Sequence, residues 1–489
     1  MAASCCPSHG RFCLILLLAG AAAVVSSGSG AAALGDGGSS DVKLHVDSSC
    51  LTPQEHKHGA ATGTRMPIVH QHGPCSPLTD KHGKPPSDEE ILAADQRRVD
   101  YIHRRVSETT GQARPKRAAP PVQLQPAPLA SSAASANLPA SSGDALGTGN
   151  YVVTIGLGTP EERLTVVFDT GSDTTWVQCQ PCVTSCYRQK EPLFTPANSS
   201  TYANISCSSS YCSDLDVRGC SGGHCLYRVR YGDGSETVGF YAQDTLTLAS
   251  DAVKEFRFGC GEQNRGLFGQ AAGLMGLGRG KTSLTAQAYG KYSGVFSYCL
   301  PATPSGTGFL DLGPGGAPAA ANARRTPMLT DKGPTFYYVG LTGIKVDGRA
   351  LSIPDSVFSA AGAILDSGTV ITRLPPKAYA PLRSAFAKAM ADLGYKKAAG
   401  TSFLDTCYDL TGVQGKALPA VSLAFQGDAT LDVDASGILY MVDMSRACLG
   451  FAPNNDDTDV AIVGNMQQKT YGVVHDLGKK LVSFAPGAC

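Results

Sequence analysis

Two short stretches hold the residues best suited to chemistry. Val166-Val-Phe-Asp169-Thr170-Gly171-Ser172 runs an apolar strand into an acid, then a small hydroxyl residue, a glycine and a second hydroxyl. Counting 197 residues on from Asp169, Ala363-Ile-Leu-Asp366-Ser367-Gly368-Thr369 repeats the pattern. One copy reads as an ordinary turn, where Asp and Gly are favoured. Two copies, each fed by a strand, point to a shared site. A carboxylate at a buried strand end is costly unless it is hydrogen-bonded or shares a proton. Two of them about 3 Å apart cannot both ionise, so one pKa falls, the other rises and the pair keeps one proton. One carboxylate can then take a proton from water while the other protonates a carbonyl oxygen. The glycines allow tight turns and close backbone approach, and the hydroxyls can hold the carboxylates coplanar.

Other motifs divide between turns and function. Tyr231-Gly232-Asp233-Gly234 lies between strand-like runs Leu226–Arg230 and Val238–Leu248. Asp-Gly there signals a hairpin, and the hairpin suits a mobile flap whose Tyr231 closes over a substrate and excludes water. Trp176, the single tryptophan, is either core or a support that accepts the Tyr231 ring or hydroxyl. Gly273 to Thr282 looks like a phosphate loop, but Met275 stands where that motif needs glycine. Symmetry accounts for it better: Leu274-Met275-Gly276 follows Gly171 by 105 residues, and Ile462-Val463-Gly464 follows Gly368 by 96. Each half thus runs strand, acid loop, long excursion, apolar-apolar-Gly, as in a diverged duplication. No Gly-x-Ser-x-Gly is present and only His224 and His475 lie beyond residue 148, which disfavours a serine hydrolase.

Length and composition set what must position these residues. The 489 residues leave room for processed segments and a two-lobed core. Glycine (56), proline (30) and a 17% charged fraction suit a turn-rich β protein. Net charge is zero overall, and from residue 121 onward 28 Lys/Arg stand against 30 Asp/Glu, so no cationic face for nucleic acid is indicated. Seventeen cysteines indicate an oxidising compartment. Cys179-x-x-Cys182 lacks the second pair or histidines that a zinc site needs, so disulfides are favoured and neither metal nor cofactor is expected. Asn198-Ser-Ser and Asn204-Ile-Ser are glycosylation sequons within the cysteine-rich stretch.

The chain divides into 1–28, 29–148, 149–320 and 321–489. Arg11, the 14 apolar residues Phe12–Val25 and Ser26-Ser-Gly28 read as a signal peptide, too short to span a bilayer. A plastid transit peptide is the alternative, because no acid precedes Asp36. In the next segment His56, His58, His70 and His72 read as solvated loop and not as a metal cluster. Ser87 to Glu90 form a capping box, after which Ile91, Leu92, Val99, Ile102 and Val106 share one helix face. The other face is basic, with Arg97, Arg98, Arg104 and Arg105, followed by Arg114, Lys116 and Arg117. This is either a solvated amphipathic helix or an inhibitory propeptide laid over an acidic cleft until acid loosens it. The Ala/Pro/Ser run 118–142 would be the linker that is cut.

From about Tyr151 to Cys489 the chain resembles the pepsin-type aspartic proteases, and within them the plant nepenthesin-like branch, which includes the chloroplast-nucleoid-DNA-binding-type enzymes. Proton sharing is established for that family's carboxylate pair. The resemblance implies an all-β, bilobal fold with a pseudo-twofold axis and a central cleft, and an endopeptidase that works in acid after propeptide removal. It places the catalytic acids at Asp169 and Asp366, the flap at Tyr231 and Gly232, and its support at Trp176. Thr170 and Ser367 would grip each other's loops, and Ser172 and Thr369 would bond the outer carboxylate oxygens, beside Gly171 and Gly368. Setting aside Cys5, Cys6, Cys13, Cys50 and Cys75 leaves twelve cysteines. By analogy they pair Cys179 with Cys182, Cys186 with Cys260, Cys207 with Cys225, Cys212 with Cys220, Cys299 with Cys489 and Cys407 with Cys448, although sequence alone cannot select the connectivity. Implied partners are protein or peptide substrates and the chain's own propeptide as inhibitor, for a monomer without a membrane anchor. The destination would be extracellular or vacuolar, with the chloroplast as alternative. An inactive inhibitor-like or DNA-binding member of the same fold is the rival function.

Overall fold

A computed structural model describes residues 64–109, except 72 and 79–85, and residues 150–489, except 232–233, 267, 304, 315–321, 360–361, 413–416 and 444. The signal-peptide reading, His56, His58, His72, Cys50, Arg114, Lys116, Arg117, the 118–142 linker and Gly232 lie outside the described residues.

The architecture is mainly β, in two halves joined through one large sheet. Strand β1 (Thr64–His70) is followed by helix α1 (Asp88–Thr109), then by β2 (Tyr151–Leu157) and β3 (Glu162–Asp169). β2 and β3 form an antiparallel hairpin in register from Val152↔Val167 to Leu157↔Glu162. Both strands are buried along most of their length, which explains their near-continuous apolar sequence. In the second half, Val421–Phe425 buries alternate residues, the period-2 signature of a strand with one face on the core. The helix Pro376–Asp392 starts with proline in its first turn and buries Leu382, Phe386 and Met390 at four-residue spacing. Strand Val295–Cys299 pairs antiparallel with Gly472–Asp476, fusing the sheets of the two halves. His475 lies in that seam, fully buried and stacked on Phe296 with ring centroids 4.6 Å apart.

The halves repeat one motif. β3 lies parallel to Gly273–Gly276, with Asp169 opposite Gly276. Ala363–Leu365 lies parallel to Ala461–Val463, with Leu365 opposite Val463. The two apolar-apolar-Gly stretches are therefore the strands that flank the acid-bearing ones.

Two expectations for the N-terminal segment change. His70 is not a solvated loop residue: it is buried at the end of β1 and meets Tyr151 edge-on at 5.4 Å. β1 pairs with Thr307–Leu312 from Thr64↔Leu312 to Val69↔Thr307, and with β2 at its end. Its alternation was hidden by Pro67, which an edge strand tolerates. Helix α1 opens on the expected capping box, the Glu90 amide donating to Ser87 Oγ at 3.3 Å and the Ser87 amide to Glu90 Oε2 at 2.8 Å. Val99, Ile102 and Val106 pack on Phe336, Tyr338, Ile364 and Ile462, and Leu92 on Val370, Tyr440 and Met466. Each such side chain stabilises the docked helix by roughly 1.5–3 kcal/mol before ordering entropy.

All twelve later cysteines are paired, but four of the six expected pairings are wrong. The bonds are Cys179–Cys260, Cys182–Cys186, Cys207–Cys220 and Cys212–Cys225, with Cys299–Cys489 and Cys407–Cys448 as expected. Strand Trp176–Gln178 runs parallel to Asp251–Arg265 with Val177 opposite Cys260, which brings Cys179 within 5.4 Å (Cα to Cα) of Cys260. Cys182 is then left to close a short loop with Cys186. Cys220 and Cys225 face each other across a hairpin. The short helix Ser210–Ser213 presents buried Cys212 to buried Cys225. Cys207, whose amide donates to Gly223 O in the hairpin turn, is left to reach Cys220. The sequons Asn198 and Asn204 are exposed.

Candidate active site

Asp169 and Asp366 end equivalent strands and are both fully buried. Each is fixed by its own loop. Asp169 accepts from the Gly171 amide at 3.0 Å and from Ser172 Oγ at 2.6 Å. Asp366 accepts from the Gly368 amide at 3.2 Å and from Thr369 Oγ1 at 2.5 Å. The loops are cross-linked by a reciprocal pair: the Thr170 amide donates to Ser367 Oγ at 3.0 Å, and the Ser367 amide to Thr170 Oγ1 at 2.9 Å. A Cβ on Gly171 would collide with the Asp366 carboxylate, and one on Gly368 with that of Asp169. Only glycine lets the two loops approach this closely.

The residues after each apolar-apolar-Gly strand hold the loops from behind. Leu277 N–H donates to Asp169 O and Gly278 N–H to Ser172 O, both at 2.8 Å. In the other half the Asn465 amide donates to Thr369 O at 2.7 Å and its Nδ2 to Ser367 O at 3.0 Å.

Between the carboxylates stands Arg98 of α1. Its Nη2 donates to Asp169 Oδ1 at 2.6 Å and to Asp366 Oδ1 at 2.7 Å, and its Nε to Asp366 Oδ2 at 2.8 Å. Burial by itself would raise the Asp366 pKa, but the Arg98 charge and its hydrogen bonds, with those of Thr369 and Gly368, hold it below the ordinary carboxylate value. Burial likewise disfavours the Arg98 cation, and the two carboxylates more than compensate, raising its pKa. The sequence put Arg98 on the basic face of α1, opposite Ile91 and Ile102. Arg98 instead projects into the cleft because it lies four residues before Ile102 and seven after Ile91, on the apolar side of the helix.

Tyr231 and Trp176, the residues expected at a flap, also meet. Trp176 Nε1–H donates to Tyr231 Oη at 2.7 Å, so tryptophan is the donor and not the acceptor. Both rings pack edge-on against Phe268, with centroids 4.8 and 5.5 Å away. Burial, then the nearby Asp169 charge, raises the Tyr231 pKa and keeps its hydroxyl protonated.

Sequence reasoning missed three features. Asp173, next to the first loop, accepts from Gly280 N–H and Thr335 Oγ1, both at 2.8 Å, and burial pushes its pKa up to about 6. Asp95 and Arg373 form a buried ion pair at 2.9 Å between α1 and the second half. The spacing Asp95–Arg98, one helical turn, was the available signal for Asp95 alone. Asn465 was also missed, although it directly follows the Ile462-Val463-Gly464 repeat. Among the described residues no group of three or more His, Cys, Asp or Glu is arranged to hold a metal ion, and no helix is long and apolar enough to cross a membrane.

Residues 151–314 match the family described as "Xylanase inhibitor N-terminal", and residues 336–486 the one described as "Xylanase inhibitor C-terminal". The chain is 45% identical over 449 residues to an aspartyl protease family protein of Arabidopsis thaliana, covering 90% of each sequence. It is 44% identical over 444 residues to aspartyl protease AED1 of the same plant, covering 90% of this chain and 89% of that one. To aspartic proteinase nepenthesin-2 of Nepenthes gracilis it is 36% identical over 356 residues, 70% of this chain and 78% of the other. Among solved structures, edgp aligns with a TM-score of 0.57 at 21% identity over 71% of this chain and 96% of its own. Basic 7S globulin from soybean aligns at 0.55 and 20% identity over 69% and 91%. At such identity these two likenesses speak for the bilobal fold alone.

Proposed function

The chain belongs to the plant aspartic proteases, in their nepenthesin-like branch, and from that membership we propose that it is a secreted aspartic endopeptidase made as a latent precursor. The observation that carries this reading is the pair of buried carboxylates flanking one Arg98 nitrogen, each held by a mirrored set of loop bonds. With Arg98 withdrawn, the carboxylates would repel and share a proton. A water between them would lose a proton to one carboxylate and attack the scissile carbonyl, whose oxygen is protonated by the other. The resulting diol collapses as the leaving nitrogen takes a proton, with no covalent intermediate. The titrations belong to the pair. Tyr231 closes over the substrate and Trp176 fixes its hydroxyl.

Residues 64–109 act as the inhibitor in this reading: α1 fills the cleft and Arg98 replaces the water. The six disulfides among residues 179–489 agree with export through the secretory pathway, and protein or peptide substrates follow from the family. The full-length protein, incubated in acid, should cleave denatured globin or casein and be stopped by a pepstatin-type inhibitor, which mimics the tetrahedral intermediate. Binding of xylanase without any proteolysis would favour an inhibitor instead, as the description of the matching family names.

A further inference from the structure

We propose that Arg373, together with the Val370 amide, forms a subsite for an acidic side chain of the substrate, one or two residues from the bond cut. This rests on the protease reading above. Arg373 lies in strand Thr372–Leu374, directly after the second acid loop, and is only 1% exposed. A buried guanidinium needs partners. All of its side-chain hydrogen bonds among the described residues are donated to α1: Nη2 to Asp95 Oδ2 at 2.9 Å and Nη1 to Gln96 Oε1 at 2.7 Å. Its Nε has none. Asp95 Oδ1 also accepts from the Val370 amide at 2.6 Å. The second half therefore presents a built carboxylate cradle, one guanidinium and one backbone N–H, occupied by a carboxylate that the N-terminal segment supplies.

Departure of α1 empties that cradle without changing its donors. Arg373 then needs an anionic acceptor or water, and a bound peptide can provide the anion. Asp95 precedes Arg98 by one helical turn, roughly 5–6 Å between side-chain origins. An extended peptide advances about 3.3 Å per residue, which gives the stated distance from the dyad. Apolar surface that holds Leu92, from Val370, Tyr440 and Met466, borders the cradle. An acidic residue with an apolar neighbour is the matching substrate class. Arg98 and Asp95 thus occupy two places of the cleft at once, the water site and a side-chain site.

The test starts from full-length protein, acid-activated until residues 64–109 have been released and removed, and uses matched fluorogenic peptides that differ only in Glu against Gln at positions one and two residues to either side of the scissile bond. At pH 5 a substrate Glu, with an ordinary pKa of about 4.3, is ionised. At one of these positions the Glu peptide should show a tenfold or greater advantage in kcat/KM, carried mainly by KM. In Arg373→Met that ratio should collapse toward one, and in Arg373→Lys it should be kept in part. Equal rates for Glu and Gln at every position, or a ratio unmoved by Arg373→Met, overturn the subsite while leaving the protease reading intact. Should Arg373→Met not fold, the wild-type ratio and the Lys variant decide the matter alone. Cleavage of no peptide at all overturns the protease reading, and the subsite with it.

Discussion

Arg98 holds the Asp366 carboxylate side-on, Nε to Oδ2 at 2.8 Å and Nη2 to Oδ1 at 2.7 Å. Because this grip lowers the Asp366 pKa, it is fully present above the ordinary carboxylate value of about 3.9 and is lost as pH falls through the lowered one. The full-length chain should therefore be inert toward peptides near pH 7 and gain activity below about pH 4. Rates measured from pH 3 to 7 on intact protein check this; equal activity at both ends would contradict it.

Arg98→Met removes the cation from between two acids. Breaking a buried ion pair costs about 3–5 kcal/mol, but here the freed carboxylates can share a proton, so the loss should fall at the low end. The onset of activity should move up by a pH unit or more. An unchanged onset would mean that latency resides in the apolar contacts of α1.

Asp169→Asn and Asp366→Asn should each lower acid proteolysis by about 10²–10⁴-fold or more. Their circular dichroism should match the parent, since the Thr170–Ser367 cross-bonds do not involve the carboxylates. Either variant with full activity would end the proposed mechanism.

Tyr231→Phe leaves the buried Trp176 N–H without its acceptor, at a cost of about 1–3 kcal/mol. A lower kcat/KM with a modest fall in melting temperature is expected. A stability loss with no kinetic effect would make the pair purely structural.

His475 predicts an acid limit. Burial pushes its pKa down to about 3, so the stability tied to its neutral ring is complete above the unfolded value of about 6.5 and is lost as pH falls toward 3. At pH 4 this amounts to a few kcal/mol. His475→Phe, in a site already lined by Phe296 and Tyr337, should raise acid stability while changing it little at pH 7. Denaturant melts at both values test it.

The site was legible wherever chemistry imposes local spacing. Asp-Thr-Gly-Ser and Asp-Ser-Gly-Thr bond largely within themselves, so their geometry is written in four consecutive letters. Strands Ala363–Leu365 and Val421–Phe425 were equally readable, from apolar runs and alternation. Disulfide partners were not, because which cysteine meets Cys260 depends on a parallel pairing with a strand some eighty residues away. Arg98 could not be told from Arg97 by composition. Only the helical phase relative to Ile91 and Ile102 separates the cleft-facing arginine from its neighbour. Strand β1 escaped because its partners lie near residues 152 and 310, beyond any window of local pattern.

Membership of β1 in the main sheet has a consequence for timing. Six backbone rungs with Thr307–Leu312 and a bidentate Arg65–Asp311 clasp hold its residues whether or not the polymer is continuous between Thr109 and Asn150. A single nick there yields a two-chain molecule that stays shut, so scission and opening are separate events. Opening needs α1 to leave the cleft; complete release of the segment would also need β1 to peel from the sheet, leaving a raw edge on β2 and on Thr307–Leu312 to be covered or tolerated.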